Sequence, residues 1–218
     1  MMEPIGLFVS IPIASFRIPR AREYFETFPC PPPSTVYGML LSMVGEVNRR
    51  VHEGAEIAIA MLSEPACSIV LRTVWRVKDR GTGMGIGTNR RPDFQELLSD
   101  IRLAVWVRQG TTEAAGKPLA RRVQDAIDSP RTACRFGGLS LGESTHLVDE
   151  VRGLAENPDC ARFLVNDAEG DLAMPVWPDH VGAETAWGQY SLVTCSYTGS
   201  LPPAVWTRIA RSPVEARV

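Results

Sequence analysis

The segment from Arg72 to Arg91 carries the clearest binding chemistry in this sequence. Its basic residues are Arg72, Arg76, Lys78, Arg80, Arg90 and Arg91. A single acid, Asp79, lies among them, although the net charge of the whole chain is -2. Glycines at positions 81, 83, 85 and 87 let the backbone approach a ligand closely, and Arg and Lys match phosphate in charge and hydrogen-bond geometry. The segment predicts an arm that binds a polyanion; the alternative is a mobile, solvated hairpin.

A second glycine-rich segment, RFGGLSLGES, runs from Arg135 to Ser144. Gly137 and Gly138 follow Arg135 closely, and such a turn can direct consecutive backbone N–H groups at a phosphate. The segment lacks the Lys-Ser/Thr ending of a Walker loop, and the glycines at 81 to 87 lack GxGxxG spacing. We therefore expect an anion-binding loop and no nucleotide cofactor.

The sequence contains no strong catalytic or metal-binding pattern. His52, His146 and His180 are far apart without an HExxH motif, there is no GxSxG segment, and the five cysteines never show CxxC spacing. We predict no metal site, no cofactor and no catalytic residues. One enzymatic alternative is metal-independent RNA cleavage, for which Tyr24, Lys78 and His146 would supply the acid, base and cation. A small nucleotide-binding α/β enzyme is a third hypothesis.

Composition is that of an ordinary globular protein. A chain of 218 residues with 44% hydrophobic residues can bury a sizeable core as one domain or as a domain with an appendage. No apolar run approaches the roughly 20 residues that span a bilayer, and the N-terminus lacks a secretory leader. Acids dominate from Glu143 to Asp171, so charge is uneven along the chain. We expect a cytoplasmic protein, no membrane partner, and a nucleic-acid face in the basic front half.

The front half predicts a short strand followed by a helix. Apolar residues alternate over residues 5 to 11, and Pro12 limits how far this strand pairs. A loop with Arg17, Arg20 and Arg22 leads to consecutive prolines, after which Ser34 is placed to cap a helix. Apolar residues at helical spacing extend that helix from Val36 to Val51.

Two further strands each have one charged face. In residues 67 to 78 the apolar face includes Trp75, for which we expect burial, and the other face carries Arg72, Arg76 and Lys78. Residues 101 to 108 repeat the pattern, with Arg102, Trp106 and Arg108 on the polar side. If the two strands pair across the glycine arm, their outer face offers phosphate contacts and a stacking indole, as in binders of single-stranded RNA. The alternative is a plain amphipathic sheet.

The order of elements predicts an α+β, ferredoxin-like fold. A second helix is expected near residues 115 to 128, which gives the order strand, helix, strand, strand, helix, strand. In this fold both helices cover one face of the sheet and leave the other free. Short β-like pieces after residue 150 read as a small β-rich part. We therefore divide the chain into a domain of residues 1–150, with a hairpin over about 78–94, and a C-terminal region of residues 151–218.

Three segments together resemble a known family. They are PPPSTVYGMLLSMVGE, the basic glycine-rich excursion after LRTVWRV, and RFGGLSLGES, in that order. Over residues 5 to about 155 the chain resembles the Cas five family of CRISPR-associated proteins, in the subgroup called DevS-like or Myxan-type.

The resemblance implies a subunit of a type I Cascade surveillance complex that functions in antiviral defence. Such a subunit is a ferredoxin-like, RRM-like protein of the repeat-associated mysterious protein group, and it caps the 5′ handle of the crRNA. Its neighbours would be the backbone subunit and the large subunit, with target DNA reached through the assembled complex. The hairpin would act as a thumb against the guide RNA.

The resemblance also assigns residues. Arg80, Arg90 and Arg91 would contact phosphates, Met84 or Ile86 would lie beside a displaced base, and Ser34, Thr35 and Tyr37 would face the handle with the preceding arginines. Some relatives cut precursor crRNA through a tyrosine, a lysine and a histidine, for which this chain shows no convincing equivalent. We expect a non-catalytic binder, with the endoribonuclease as the alternative. The complete set of expected RNA-binding residues is Arg17, Arg20, Arg22, Ser34, Thr35, Tyr37, Arg72, Arg76, Lys78, Arg80, Met84, Ile86, Arg90, Arg91, Arg102, Trp106, Arg108, Arg135, Gly137 and Gly138.

Overall fold

A computed structural model describes residues 3–19, 24–75, 77–178, 185–197 and 199–211. The fold is α+β, with a mostly antiparallel sheet and few helices. In chain order the elements are β1 (Ile5–Ala14), β2 (Tyr24–Phe25), α1 (Pro33–Met43), β3 (Glu56–Met61), β4 (Ala66–Trp75), β5 (Arg90–Arg108), α2 (Leu119–Asp128), β6 (Glu150–Gly153), β7 (Ala161–Asn166), β8 (Leu172–Pro178), β9 (Thr185–Cys195) and β10 (Thr207–Arg208).

These strands form one sheet around the long strand β5. The main path runs β6-β1-β5-β3-β7-β9-β8, while β2 and β4 pair with β5 and β10 pairs with β3. Alternate residues of β1, β3 and β5 point to one face, where Leu7, Ile57 and Leu103 pack against both helices. The two helices contact each other and lie on that single face. This buried layer holds the body together.

The opposite face of the sheet is also covered, contrary to the expectation that it stays free. Ala58, Ala60 and Ala104 are small enough for the C-terminal segment to pack closely, and Trp206 lies over them. Trp106 belongs to this second cluster: it is only 4% exposed and its ring stacks on Phe163 with centroids 5.6 Å apart. The prediction of an exposed, RNA-stacking Trp106 is therefore wrong.

Helix α1 differs from its prediction at both ends. Pro32 is the N-cap residue and no side-chain cap is formed, so Ser34 lies inside the first turn and does not cap it. The helix ends at Met43, well before Val51, because Gly45 adopts a left-handed φ of 68°. Val47 and Val51 are exposed beyond it. A regular apolar spacing thus continued past the true end of the helix.

Strand β1 is longer than predicted. It continues through Pro12 to Ala14, since its outer neighbour β6 pairs only with Leu7–Ser10 and Pro12 removes no bond on that side. Asp100 of β5 lies near this point with a left-handed φ of 58°. The Ser63 hydroxyl donates to the Asp100 carbonyl at 2.6 Å, which holds the backbone in this conformation.

The predicted pairing of residues 67–78 with 101–108 is wrong. Strand β4 pairs with the first half of β5, from Ala66↔Ser99 to Trp75↔Arg90, whereas residues 101–107 of β5 pair with β1. We call β4, the connecting residues 77–89 (the tip loop) and residues 90–99 of β5 the ribbon. Trp75, expected in the core, is 66% exposed on this ribbon, where none of the described elements covers it.

The strands after residue 150 continue the same sheet. β6 pairs with β1, and β7 and β10 pair with β3. Tyr190 of β9 and Met174 of β8 are buried in the main core. The division near residue 150 stays a prediction. In the described ranges no helix is long and apolar enough to cross a membrane.

Candidate nucleic-acid interface

A buried asparagine organises the tip loop. Asn89 is 1% exposed, and its Oδ1 accepts hydrogen bonds from the backbone N–H groups of Lys78 at 2.8 Å and Asp79 at 2.9 Å. Its Nδ2 donates to the carbonyls of Asp79 and Thr82, at 2.8 and 2.7 Å. A single side chain at the end of the loop thus satisfies backbone groups of residues 78 to 82 near its start.

The acid of the arm has a structural role in the same loop. The Asp79 carboxylate accepts from the Thr82 hydroxyl at 2.6 Å and from the Gly81 N–H at 2.9 Å. These hydrogen bonds, the Thr82 bond first, lower the pKa of Asp79. Asp79 therefore fixes the turn instead of pairing with the neighbouring cations.

Apolar side chains are exposed along the tip loop and one face of the ribbon. Trp75 lies against Gly85, whose φ is 73° and where an added Cβ would come within 2.7 Å of the indole Nε1. The other exposed apolar residues here are Ile69, Leu71, Val77, Met84, Ile86 and Phe94. Because β4 and β5 alternate in register, Ile69, Leu71 and Phe94 share one face with Trp75.

The basic residues of the ribbon differ in how far their charge is available. Arg91 pairs with Asp93, whose side chain is 1% exposed, with Nε 2.7 Å from Oδ1. Arg72 lies 3.2 Å from a Glu143 carboxylate oxygen and also donates to Gln95. Lys78, Arg80 and Arg90 are exposed. The latter three carry most of the charge that a ligand would meet at the end of the ribbon.

Glu143 joins the ribbon to the glycine loop, which we define as residues 135–144. Its Oε1 accepts from Gln95 Nε2 at 2.8 Å, while Oε2 faces Arg72. The sequence placed Glu143 at the start of an acidic segment, yet it contacts Gln95 and Arg72 of the ribbon, 48 and 71 residues away along the chain. The base of the ribbon and the glycine loop therefore form one continuous surface.

His146 closes this junction from behind. Its Nδ1 accepts hydrogen bonds from the backbone N–H groups of Ser15 and Glu143, each at 3.2 Å. Desolvation lowers the pKa of His146, and it outweighs the opposing effect of the Glu143 carboxylate, which raises that pKa. A neutral imidazole is required, because a protonated Nδ1 has no lone pair to accept with.

A groove runs between α1 and the glycine loop. It has a volume of about 470 Å³ and is lined by Ser34, Thr35, Gly38, Met39, Ser42, Phe136, Gly137, Gly138, Ser140, Gly142 and Ser144. The Ser42 hydroxyl donates to the Phe136 carbonyl at 2.8 Å and holds the loop on the helix. The structure thus brings Ser34 and Thr35 together with Gly137 and Gly138, four residues that the sequence selected from two distant motifs. The polar lining of the groove consists of Ser and Thr hydroxyls and of backbone groups at the glycines.

Comparison with known proteins decides the family. The chain is 44% identical over 180 residues to the CRISPR-associated protein Cas5 of Myxococcus xanthus (strain DK1622), covering 82% of this chain and 84% of that protein. The chain belongs to the Cas5 family.

Solved structures agree at the level of the fold. A chain of a CRISPR RNA-guided surveillance complex matches with a TM-score of 0.64 and 13% identity, over 89% of this chain and 90% of its own. A crystal structure of a Cas protein matches with a TM-score of 0.52 and 13% identity, over 89% and 95%. No protein-family model matches the sequence. The resemblance to the Cas5 family noted from the sequence is confirmed.

Tyr37 does not face the groove in this Cas5 family member. It is 2% exposed, its hydroxyl donates to the Arg49 carbonyl at 2.6 Å, and burial raises the pKa of the phenol. Its ring lies against Trp177 with centroids 6.1 Å apart. The prediction that Tyr37 faces an RNA handle is wrong, since the helical turn directs it into the core.

The remaining predicted cations are dispersed. Arg102 pairs with Asp100 at 3.0 Å, and Arg108 pairs with Glu56 at 2.6 Å at the far end of β5, where its guanidinium lies over Trp206. These two do not share a face with Arg72, so the single cationic sheet face is wrong. Arg17 lies over the Phe25 ring at 3.9 Å, and Arg135 is exposed on the glycine loop. Arg20, Arg22 and Arg76 lie outside the described residues.

The three side chains of the endoribonuclease alternative are not assembled. The Tyr24 hydroxyl donates to Glu96 at 3.0 Å, and its pKa is raised by desolvation first and by that bond second. His146 accepts a hydrogen bond from the Glu143 N–H, and the Glu143 side chain contacts Gln95. Gln95 and Glu96 are successive residues of β5 and point to opposite faces, so Tyr24 and His146 lie on different sides of the strand. Lys78 belongs to the tip loop. Within the described segments, no group of three or more His, Cys, Asp or Glu residues is placed to hold a metal ion.

Sequence reasoning missed the residues that assemble the interface. Asn89 and Gln95 are each 1% exposed, and polar residues in an apparently open hairpin gave no sign of burial. An Asn after a glycine-rich turn is the kind of residue that hydrogen-bonds local backbone, which is the one signal that would have selected Asn89.

Proposed function

We propose that this Cas5 family member is a non-catalytic subunit of a type I Cascade complex that binds and caps the 5′ handle of the crRNA. The observation that carries the proposal is the junction at Glu143. It makes the ribbon and the groove at Ser34, Thr35 and the glycine loop a single surface. A strand of RNA following that surface would meet the groove first and the cationic ribbon next.

Each part of this surface offers a different contact to RNA. The groove supplies hydroxyls and backbone N–H groups, which suit phosphate oxygens and the ribose 2′-OH. The exposed Lys78, Arg80 and Arg90 supply charge for neighbouring phosphates. Met84 and Ile86 are exposed beside them, at 70% and 65%, and are placed to support an unstacked base. Affinity would come mainly from phosphates, and base preference from the tip loop.

The strand order supports a ferredoxin-like core for this function. Strands β6-β1-β5-β3 are antiparallel neighbours, and α1 and α2 lie on one face of them. The order strand, helix, two strands, helix, strand is that of the split βαβ unit. We take residues 1–150 as this RNA-binding unit, of the repeat-associated mysterious protein group.

The partners follow from the same proposal. The backbone and large subunits of Cascade would be the protein neighbours, and target DNA would be reached through the assembled complex in the cytoplasm. The exposed apolar face of the ribbon, with Ile69, Leu71 and Phe94, is the kind of surface that becomes covered in an assembly.

A negative charge introduced into the groove tests the proposal. Thr35 lies in the first turn of α1, where an acidic side chain favours the helix, so Thr35→Glu should fold while repelling RNA phosphates. We expect it to weaken binding of the repeat-derived handle RNA by about tenfold or more, a loss of roughly 1.4 kcal/mol. Fluorescence anisotropy across several salt concentrations measures the affinity.

The matched control is Thr35→Gln, which has the same size without the charge and should change affinity little. Arg90→Gln on the ribbon should lower the salt slope by about one phosphate contact. Equal affinities of the Glu and Gln variants, with a normal salt slope for Arg90→Gln, would remove this surface from RNA binding.

A further inference from the structure

A pocket lies at the end of the sheet opposite the ribbon. The ribbon leaves the body near Asp100, in the middle of β5, whereas this pocket lies near the start of β3, which pairs with the end of β5, and beside β10. Its volume is about 590 Å³, and its polar lining comes from Arg50, Glu53, Thr112, Arg208 and Arg211. The proposed RNA surface does not include it.

The pocket contains more positive charge than its own acids neutralise. Arg211 Nε lies 3.0 Å from both carboxylate oxygens of Glu53. Arg208 is placed differently: its Nε is buried and finds no acceptor in the part of the chain that the structure describes. A buried charged donor without an acceptor is costly, and because Arg208 lines the pocket, a small shift of its guanidinium would let an anion bound there supply the acceptor. Arg50 adds a third, exposed guanidinium.

The pocket walls are held by a buried polar network. Val51 and Glu53 line the pocket while His52 between them points inward, and Thr112 and Ala114 line it while Glu113 points inward. His52 Nδ1 lies 2.7 Å from Glu113 Oε1, with both side chains fully buried. This bond links the two wall segments to each other. Arg208 is held separately, by the pairing of β10 with β3.

Arg122 of α2 ties this network to the end of α1. Its Nη1 is 3.0 Å from His52 Nε2 and 2.7 Å from Glu46 Oε2, and its Nη2 donates to the Val44 carbonyl at 2.8 Å. The charge of Arg122 is thus used within the network. Arg208 and Arg50, in contrast, form no ion pair with an acid of the described ranges and line the cavity.

We propose that this pocket is a binding site for a phosphate group, held by Arg208 and Arg50 with Arg211 at its edge. Guanidinium groups from separate segments suit a tetrahedral phosphate, which offers oxygens in several directions, better than a planar carboxylate. The phosphate belongs either to a nucleic-acid strand or to a small phosphorylated compound. The site depends on its own residues, so its failure would leave the proposed function standing.

The test compares Arg208→Gln and Arg50→Gln with Arg131→Gln, an exposed arginine in the turn after α2. A fluorescein-labelled single-stranded RNA and inorganic phosphate are the two probes, used with the full chain. We expect RNA affinity to fall about tenfold for Arg208→Gln. The salt slope should fall by about one for each pocket arginine, while the Arg131→Gln control stays unchanged.

The other outcomes of this experiment either identify the source of the phosphate or overturn the proposal. If phosphate raises the melting temperature of the unmodified chain but not of the two pocket variants, and RNA binding is unchanged, the ligand is a small phosphorylated compound. If neither probe distinguishes the pocket variants from the control, the proposal fails. It fails equally if the variants lose only partner subunits from the assembled complex, which would make the pocket a protein contact. Arg50→Gln keeps the test valid if Arg208→Gln does not fold, since Arg50 lies in an exposed turn.

Because the pocket and the groove lie at different ends of the body, their contributions to RNA binding should be additive in a double variant with Thr35→Glu. A loss confined to Thr35→Glu would support the proposed function alone. A loss confined to the pocket variants would support the phosphate site alone.

Discussion

At the scale of single residues, acids and amides decide which cations a ligand can reach. Asp93 holds Arg91, Glu143 holds Arg72, and Asp79 is used by the backbone of the tip loop. Counting basic residues therefore overstates the charge of the ribbon. Its electropositive character is concentrated at Lys78, Arg80 and Arg90, near the end farthest from the body.

His146 makes the junction between ribbon and glycine loop sensitive to pH. Its folded-state pKa lies below the ordinary value of 6.5, so below that pH the unfolded chain binds a proton that the folded chain resists. We expect the free energy of unfolding to fall as pH drops below about 6.5, because protonation removes the acceptor used by Ser15 and Glu143. Urea denaturation on either side of that pH measures the change.

The matched variant is His146→Gln, which keeps an acceptor but does not titrate. Its unfolding free energy should depend less steeply on pH than that of the unmodified chain. Identical pH profiles would contradict the assigned role of the imidazole.

At the scale of elements, the sequence predicted that the ribbon exists but not which residues pair within it. The run of glycines and arginines located the hairpin, since turn residues and charge are local properties. Its pairing was not readable, because one strand of 19 residues serves both ribbon and body and a periodic pattern does not reveal where the partner changes. Burial of Trp75 and exposure of Trp106 were inverted for the same reason: alternation predicts two faces, not which face is covered.

The contact between Trp75 and Gly85 should be essential to the tip loop. Gly85→Ala places a Cβ 2.7 Å from the indole Nε1 and requires a left-handed φ of 73°, which costs an alanine roughly 1–2 kcal/mol. We expect faster amide hydrogen exchange across residues 77–89 with little change in the melting temperature of the body.

Gly81→Ala is the control, because its Cβ would approach only the Asp79 carboxylate, at 3.5 Å, and no left-handed φ is involved. Exchange should stay near that of the unmodified chain. Equal acceleration in both variants would mean that glycine flexibility in general, and not the Trp75 contact, shapes the loop.

At the scale of the whole molecule, both faces of the central strands are buried. The helices cover one face, and the segment around Val205 and Trp206 covers the other, so the RNA surface that we propose uses the ribbon and the edge beside α1 and not a face of the central strands. The sequence predicted an α+β fold and selected two motifs, at the start of α1 and in the glycine loop, whose residues meet at the groove. It did not predict the covering segment, since short apolar pieces after residue 150 do not show where they pack.

Two tryptophans test this arrangement directly. Trp106→Ala removes a buried indole stacked on Phe163 and should lower the free energy of unfolding by about 3–5 kcal/mol. Trp75→Ala on the exposed ribbon should lower it by less than about 1 kcal/mol. Urea denaturation of both variants measures the difference, and similar losses would contradict the placement of either side chain.

The left-handed Asp100, with its φ of 58°, divides β5 between ribbon and body. Because the same strand continues through Asp100, a movement of the tip loop is transmitted along the backbone of β5 to its hydrogen-bonded pairing with β1 and β3. Ser63 braces the joint through its bonds to the Asp100 carbonyl and the Arg102 N–H. The body thus sets the direction in which the ribbon projects, and Asp100→Gly would let that direction vary.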